Sequence, residues 1–443
     1  MRTKFLLLML IILPVLAFGL LKFDDVAHVP AGYVTKVTCS EIFVAGRAPA
    51  DVATTNFQNI SPTFDWVSID VDDAGKTVRG HFLGFGRSVA VFNQDHGCRL
   101  DPGTGLTPVA PLPARPSFDV RIPFTKTLNP PVQDALLQFF DDALTEHPII
   151  TRGAVVLQNG EIAAEHYAEG FTASTRQQSW SMAKGVIQTL VGIAIKQGHL
   201  DLDEADLLAE WPTADPRAKI SINNLLQMAS GLAFGEDYAN PFSDVDQMLF
   251  NAGDMGKFAA GKPLARDPGT HVQYSSGTTN ILSLILKRRL GESGINYHAF
   301  PYTELFWPIG MQSAVFELDP SGSFVGSSYI YATPRDFARF GALYLQGGIA
   351  NGTQILPGNW VDYTTTPAAG ITKHYGAHWS LNRDGVGLPG LPKDIFYLGG
   401  NDGQYIFVIP SKNAVIVRLG VMRYPATFEQ DVFPRIAAIY DAL

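Results

Sequence analysis

Ser181 and Lys184 stand three positions apart in the stretch 177–188, QQSWSMAKGVIQ. On a helix that spacing puts two side chains on one face, so Oγ and Nζ would point to the same side. A serine in the first turn lies in the partial positive field of the helix N-terminus, which favours an alkoxide. The lysine is followed by GVIQTLVGIAIK, apolar nearly all round, the pattern of a buried helix. Burial disfavours an ammonium, and a neutral lysine can take a serine's proton. The pair therefore reads as a Ser–Lys form of nucleophilic catalysis. On its own it is a weak signal, because a surface turn with a lysine stretched along it has the same letters.

Two further stretches add to it. PGTHVQYSSGTTNIL, residues 268–282, reads as a turn at Pro268-Gly269, a short β-like run into Tyr274, a tight polar loop and a helix. A tyrosine beside a lysine can relay a proton to a leaving group, whereas an isolated tyrosine is ordinarily a core residue. YLGGNDGQYIFVIPSKNAVIVRLG, residues 397–420, carries Gly399, Gly400 and Gly403 at the edge of a strand. Glycine there marks close approach of another backbone or a ligand. The Gln404 amide, with that of Ser181, would make a pair of donors for a tetrahedral oxyanion; an ordinary hairpin turn explains the glycines equally.

These groups need a scaffold. PPVQDALLQFFDDALTEH is an amphipathic helix with prolines at its start. RGAVVLQNGEIAAEHY is a hairpin around Asn159-Gly160, two residues that accept positive φ. Helical patterns follow in INNLLQMASGL, TNILSLILKRRLG and TPRDFARFGALYL. Strand patterns return in IFYLGG, QYIFVIP and NAVIVRLGV, before a closing helix, FPRIAAIYDAL. A hairpin first, helices in the middle, strands near the end and a terminal helix imply an α+β fold, an antiparallel sheet with helices packed on it.

Ahead of this body, YVTKVTC, FDWVSIDVD, KTVRGHF and SVAVF read as short strands, which gives a small β-rich domain over 33–100. Residues 101–118, with their dense prolines, read as a linker. The first residues, MRTKFLLLMLIILPVLAFGLLKF, carry Arg2 and Lys4 before an uncharged apolar run over 5–21. Residues 1–22 thus read as a cleaved export signal or a retained N-terminal anchor, and the positive flank places the body in the periplasm or outside the cell in either case. Cys39 and Cys98, the two cysteines of the chain, would form one disulfide in an exported protein, or remain buried thiols. The net charge of -9 and the lack of a basic stripe argue against nucleic acid as a partner. No HExxH or CxxC is present, so no metal or other cofactor is called for.

Taken together, SMAK, LLQMASGLAFGEDYANPFSD, QYSSGTTNIL, YIYATPRDFARFGALYL and GGNDGQYIFVIPS resemble the serine β-lactamase and penicillin-binding superfamily over 123–443. The likeness is to the class C-like branch, which includes esterases and 6-aminohexanoate-dimer hydrolases. It implies a β-lactamase-like antiparallel sheet flanked by helices, with an all-helical subregion. It also implies Ser181 as acyl-forming nucleophile, Lys184 as general base and Tyr274 as the tyrosine of a Tyr-x-Asn element. Gly403 then matches the glycine of a Lys-Thr-Gly or His-x-Gly element, with the Gln404 amide next to it, and Tyr238 is a pocket residue. Two positions depart from the pattern. Ser276 stands where asparagine contacts the substrate's acylamide, and Asn401 stands where lysine or histidine sits beside a substrate carboxylate. Any charge recognition would then fall to a residue such as Arg152 or Lys373. The departures favour a small-molecule amide or ester as substrate. A penicillin-binding carboxypeptidase or β-lactamase, and a catalytically silent membrane-tethered binding protein, are the alternatives.

Overall fold

The computed structural model describes residues 2–57, 61–115, 125–144, 147–368, 372–423 and 425–443, with side chains from 23 onward. The chain opens with one long helix, α1 (Arg2–Phe43), followed by the short α2 (Pro49–Val52). Four strands then form an antiparallel sheet in sequential order: β1 (Val67–Asp72), β2 (Thr77–Phe82), β3 (Phe85–Asn93) and β4 (Gly97–Asp101).

The expected strand over YVTKVTC is instead the C-terminal part of α1. Its alternation of β-branched and polar residues mimics a strand, but seven consecutive residues, Val34 to Ser40, are all buried. The helix is enclosed between the four-stranded sheet and the main body, so it has no polar face and shows no helical period. One disulfide, Cys39–Cys98, fastens α1 to β4. A buried ion pair fastens it to the body. Lys36 Nζ donates to Glu317 Oε2 at 2.5 Å, while Ser40 Oγ and the Cys98 amide both donate to Glu317 Oε1, at 2.8 and 2.7 Å. A charged pair this deep is tolerable because the remaining carboxylate lone pairs are filled.

The proline-dense stretch is likewise no free linker. The Thr107 amide donates to the Pro320 carbonyl of the body at 2.8 Å and the Leu112 amide to Asp95 Oδ2 between β3 and β4 at 3.0 Å, so the stretch is strapped to both parts. Residues 116–118 lie outside the described residues. So do the side chains of the apolar run over 5–21; among the described residues no helix is long and apolar enough to cross a membrane.

The body begins with α3 (Pro130–Leu137) and the hairpin β5 (Thr151–Gln158) and β6 (Glu161–Tyr167), closed by Asn159 and Gly160 at φ 53° and 81°. Helix α3 is shorter than its pattern suggested, with single 3-10 turns after Leu137. The middle of the chain holds β7 (Gln177–Gln178), α4 (Ala183–Lys196), α5 (Ile222–Leu226), α6 (Asp244–Asn251), α7 (Met255–Ala260) and α8 (Ser276–Glu292). Then come β8 (Val315–Phe316), β9 (Ile330–Ala332), α9 (Pro334–Leu345), the hairpin β10 (Ile349–Ala350) and β11 (Thr353–Gln354), and α10 (Trp360–Thr365). The chain closes with β12 (Ser380–Leu381), β13 (Phe396–Gly400), β14 (Gln404–Ile409), β15 (Ala414–Gly420) and α11 (Phe433–Ala442).

The main sheet is six-stranded and antiparallel, in the order β12-β13-β14-β15-β5-β6. Side chains alternate between its faces. Val155, Leu157, Ile406, Val408 and Val417 join the larger core with α4, α8 and α9. Ala154, Val156, Phe407 and Ile416 pack against Val132 and Leu136 of α3 and Ile436 and Ile439 of α11. Both faces are covered, which is why β14 and β15 are buried at every residue. A small three-stranded sheet, β7-β9-β8, lies beside the start of α4 and carries the nucleophile turn.

Candidate active site

Strand β7 pairs with β9, and the pairing continues one residue further. The Ser179 amide donates to the Ile330 carbonyl at 2.8 Å, and the Ile330 amide donates to Ser179 Oγ at 3.3 Å. The chain then turns sharply. Trp180 adopts φ +45°, a left-handed conformation that a bulky residue avoids. Such a conformation costs about 1–3 kcal/mol and persists only where the surroundings enforce it. The half-buried Ser181 follows in a 3-10 turn that leads into α4.

Lys184, on the first turn of α4, is 1% exposed. Its Nζ lies 3.0 Å from Ser181 Oγ and donates to the Ser327 carbonyl at 2.9 Å. That second bond aims the amine at the serine. The Ser327 peptide is itself held by Asn280 of α8, whose Oδ1 accepts from the Ser327 amide and whose Nδ2 donates to Ser327 Oγ, both at 3.2 Å. Asn280 escaped the sequence reading, since an asparagine inside TTNIL gives no sign of what it meets 47 residues on.

Tyr274 meets the lysine through its ring. Nζ sits 4.8 Å from the ring centre, and the ring is 38% exposed and meets Tyr375 in a T-shaped pair. The run before Tyr274 is extended coil rather than a strand. Ser276 begins α8 and is fully buried. Its Oγ donates to Glu236 Oε1 at 2.5 Å and its amide to Glu236 Oε2 at 2.9 Å. The Tyr238 hydroxyl, on an exposed ring, donates to the same Oε1 at 2.9 Å. Tyr238, Ser276 and the unforeseen Glu236 thus form one group beside Tyr274.

The glycine strand meets the nucleophile turn at Gly400. A Cβ added there would lie 2.4 Å from the Ser179 carbonyl oxygen and 3.2 Å from the Ser181 nitrogen. Gly403 is farther along and is glycine for another reason. It has φ +77°, and a Cβ would strike Arg418 Nη1 at 2.6 Å. Gln404 pairs with Gly400 across the hairpin, and its side chain is engaged by the Gly420 backbone at 2.6 and 3.0 Å. The peptide next to Gly400 is that of Asn401, whose side chain is exposed. Gly400, followed by Asn401, is therefore the element beside the Ser181 amide, ahead of Gly403 and Gln404. The buried Arg418 secures the turn by donating to the Gly403 and Asp402 carbonyls at 2.6 and 3.2 Å. An arginine inside the apolar AVIVRLG was the visible sign of that role.

Of the residues suggested for charge recognition, Arg152 borders a cavity beside Trp180 and Gln404 but is engaged by other partners. Arg152 donates to the Thr55 carbonyl and to Asn56 Oδ1, at 3.3 and 2.8 Å, beside Glu41. Lys373 is exposed. Beneath the site, His378 is 2% exposed, with Nδ1 2.7 Å from the Leu226 carbonyl and Nε2 3.0 Å from Thr279 Oγ1. Burial, with Lys184 nearby, pulls its pKa down to about 4, so the ring is neutral.

Residues 136–441 match the beta-lactamase family, more than half of the chain. The chain belongs to the beta-lactamase family. Within it, the sequence is 25% identical over 360 residues to a 6-aminohexanoate-dimer hydrolase from Paenarthrobacter ureafaciens, 74% of this chain and 82% of that protein. Among solved structures, a family VIII carboxylesterase superposes with a TM-score of 0.54 at 16% identity, covering 72% of this chain and 97% of that one. A penicillin-binding protein homologue from Caulobacter crescentus gives the same TM-score and identity over 72% and 99%. These structures share the antiparallel sheet and flanking helices of this family member, as its sequence led us to expect.

Proposed function

We propose that this protein is a serine hydrolase that cleaves an amide or ester bond of a small molecule through an acyl-enzyme on Ser181. One observation carries the reading: the buried Lys184 Nζ lies 3.0 Å from Ser181 Oγ and is anchored on the Ser327 carbonyl. In the neutral amine one N–H is taken by that carbonyl, and the lone pair is free to accept the Ser181 proton as Oγ attacks the substrate carbonyl. The oxyanion is held by the Ser181 amide and by an amide of the 400–404 turn, with Asn401 the better placed. The ammonium, beside the Tyr274 ring, then returns the proton directly to the leaving amine or alcohol. Water, deprotonated by Lys184 in turn, releases the acid and regenerates Ser181. No step calls for a cofactor.

The Glu236 carboxylate beside Ser276 disfavours an anionic substrate group at that end of the site, and no cation stands at 401 to attract one. Both features support an amide or ester over a β-lactam carboxylate. The test measures hydrolysis of p-nitrophenyl esters, nitrocefin and a linear aminohexanoate amide, with intact-mass detection of the acyl adduct. Ser181→Ala is expected to abolish turnover and adduct, and Lys184→Met to cut the acylation rate at least 1000-fold. Preferential acylation by penicillin would replace the amide or ester reading, and no adduct on any substrate would leave a silent binding protein. We also propose that residues 1–22 direct the chain out of the cytoplasm, as a cleaved signal or a retained anchor. The N-terminus of the protein recovered from cells, read by mass spectrometry, separates the two, and an intact N-terminus on a soluble cytoplasmic protein would refute both.

A further inference from the structure

Nothing in the serine–lysine chemistry explains why the nucleophile turn keeps a tryptophan in a left-handed conformation. The Trp180 ring is stacked on Tyr33 of α1, with ring centres 5.9 Å apart and planes within 15°. Tyr33 is also stacked on Phe64, at 4.8 Å and 14°. Phe57 and Phe250 meet Tyr33 edge-on at 6.3 and 5.8 Å, and a Cβ on the neighbouring Gly32 would already touch Phe250 Cβ at 3.0 Å. Tyr33 is thus packed against four aromatic rings, Trp180 among them. Trp180 also meets Tyr329, tilted at 6.1 Å. Beside the stack lies a polar cavity of about 20 Å³, bordered by Tyr33, Glu41, Arg152, Gln177, Trp180 and Gln404. The cavity has room for about one water, and the Trp180 ring, 8% exposed, makes its ring contacts with Tyr33 and Tyr329.

We propose that Tyr33 is a positioning residue for Ser181, and that the N-terminal helix is thereby part of the catalytic unit. The Trp180 ring, held by Tyr33 and Tyr329, fixes the Trp180 backbone at positive φ, and that backbone sets where the Ser181 Oγ and amide point. Without the stack the turn relaxes towards an ordinary conformation and only a fraction of molecules present Oγ to Lys184. Such a loss appears in kcat more than in KM, because substrate contacts made by other elements survive. The proposal rests on the hydrolase reading above and extends it to a segment far from Ser181 in the chain.

The experiment compares Tyr33→Leu and Tyr33→Phe in the full chain. Rates are normalised by titration of acylated Ser181, so that unfolded protein does not count. Tyr33→Leu is expected to lower kcat about tenfold or more with KM within about threefold, and Tyr33→Phe, which keeps the stacked ring, to restore most of the rate. Phe64→Leu, which removes the outer ring alone, is expected to give a smaller loss and serves if Tyr33→Leu does not fold. A second readout is independent of turnover. Acrylamide quenching assigned to Trp180, by difference from Trp180→Phe, should rise in Tyr33→Leu. Unchanged kcat per titrated site, or unchanged quenching, would overturn the proposal. If the wild type itself shows no Ser181 adduct, the hydrolase reading fails, and the quenching result still decides whether Tyr33 braces the turn.

Discussion

Replacing Gly400 by alanine isolates the contact between β13 and the nucleophile turn. Gly400 has φ −129° and ψ 157°, extended backbone that any residue adopts, so the substitution adds no conformational strain. The added methyl, however, lies 2.4 Å from the Ser179 carbonyl oxygen. A carbon normally approaches a carbonyl oxygen to about 3.3 Å, so strand and turn must part by roughly 0.9 Å. Ser179 is bonded to β9 and Gly400 to β14, so neither side moves freely. A misplacement of about 1 Å costs on the order of 100-fold in rate, and loss of one oxyanion donor about 100- to 1000-fold. Gly400→Ala is therefore expected to lower kcat at least about 100-fold, with KM little changed. Gly399→Ala is the control, because its methyl meets only the Tyr405 ring, at 3.3 Å. Ester hydrolysis measured beside Ser181→Ala, with the acyl adduct followed by intact mass, reads the effect. If Gly400→Ala keeps within threefold of wild-type kcat while Ser181→Ala is inactive, the oxyanion site lies elsewhere and Gly400 is a packing glycine only.

Two further outcomes concern stability. The His378 pKa of about 4 in the folded protein lies below its unfolded value, so between pH 6.5 and 4 the unfolded chain binds a proton that the folded chain does not. Stability should fall as pH drops through that window, by up to about 3 kcal/mol, and His378→Gln should flatten this acid limb in urea titrations at pH 7.5 and 4.5; an unaltered slope would contradict it. Opening the Cys39–Cys98 link, which spans 59 residues, by Cys39→Ser with Cys98→Ser should cost about 4 kcal/mol. An unshifted urea midpoint would show that α1 is held without it.

Local features were the ones legible in the sequence. Ser181 and Lys184 share one helical turn, and the Asn159-Gly160 hairpin is set by two adjacent residues, so both could be read from letters alone. The sheet followed from apolar runs in QYIFVI and AVIVRLG. What escaped depends on partners far along the chain. Glu236 acquires its place only by meeting Ser276, 40 residues later. Which glycine stands beside Ser181 is decided by hairpin register, since Gly400 and Gly403 look alike until β14 pairs with β13. Helix α1 was misread because a helix buried all round loses the periodicity by which helices are recognised, and its valines and threonines then speak for a strand. The positive φ at Trp180 had no sign at all, since tryptophan is among the last residues expected there.

The bond between Lys36 and Glu317 joins residues 281 positions apart. On a ribosome adding about 5–20 residues per second, roughly 15 to 55 s pass between the synthesis of the lysine and that of its acceptor. For much of that interval the helix has only the four-stranded sheet to rest on, and the side that later meets Glu317 is uncovered. The packing of this helix is thus completed only after residue 317 is made, and a chaperone that shields its uncovered side during synthesis would act before the body closes over it.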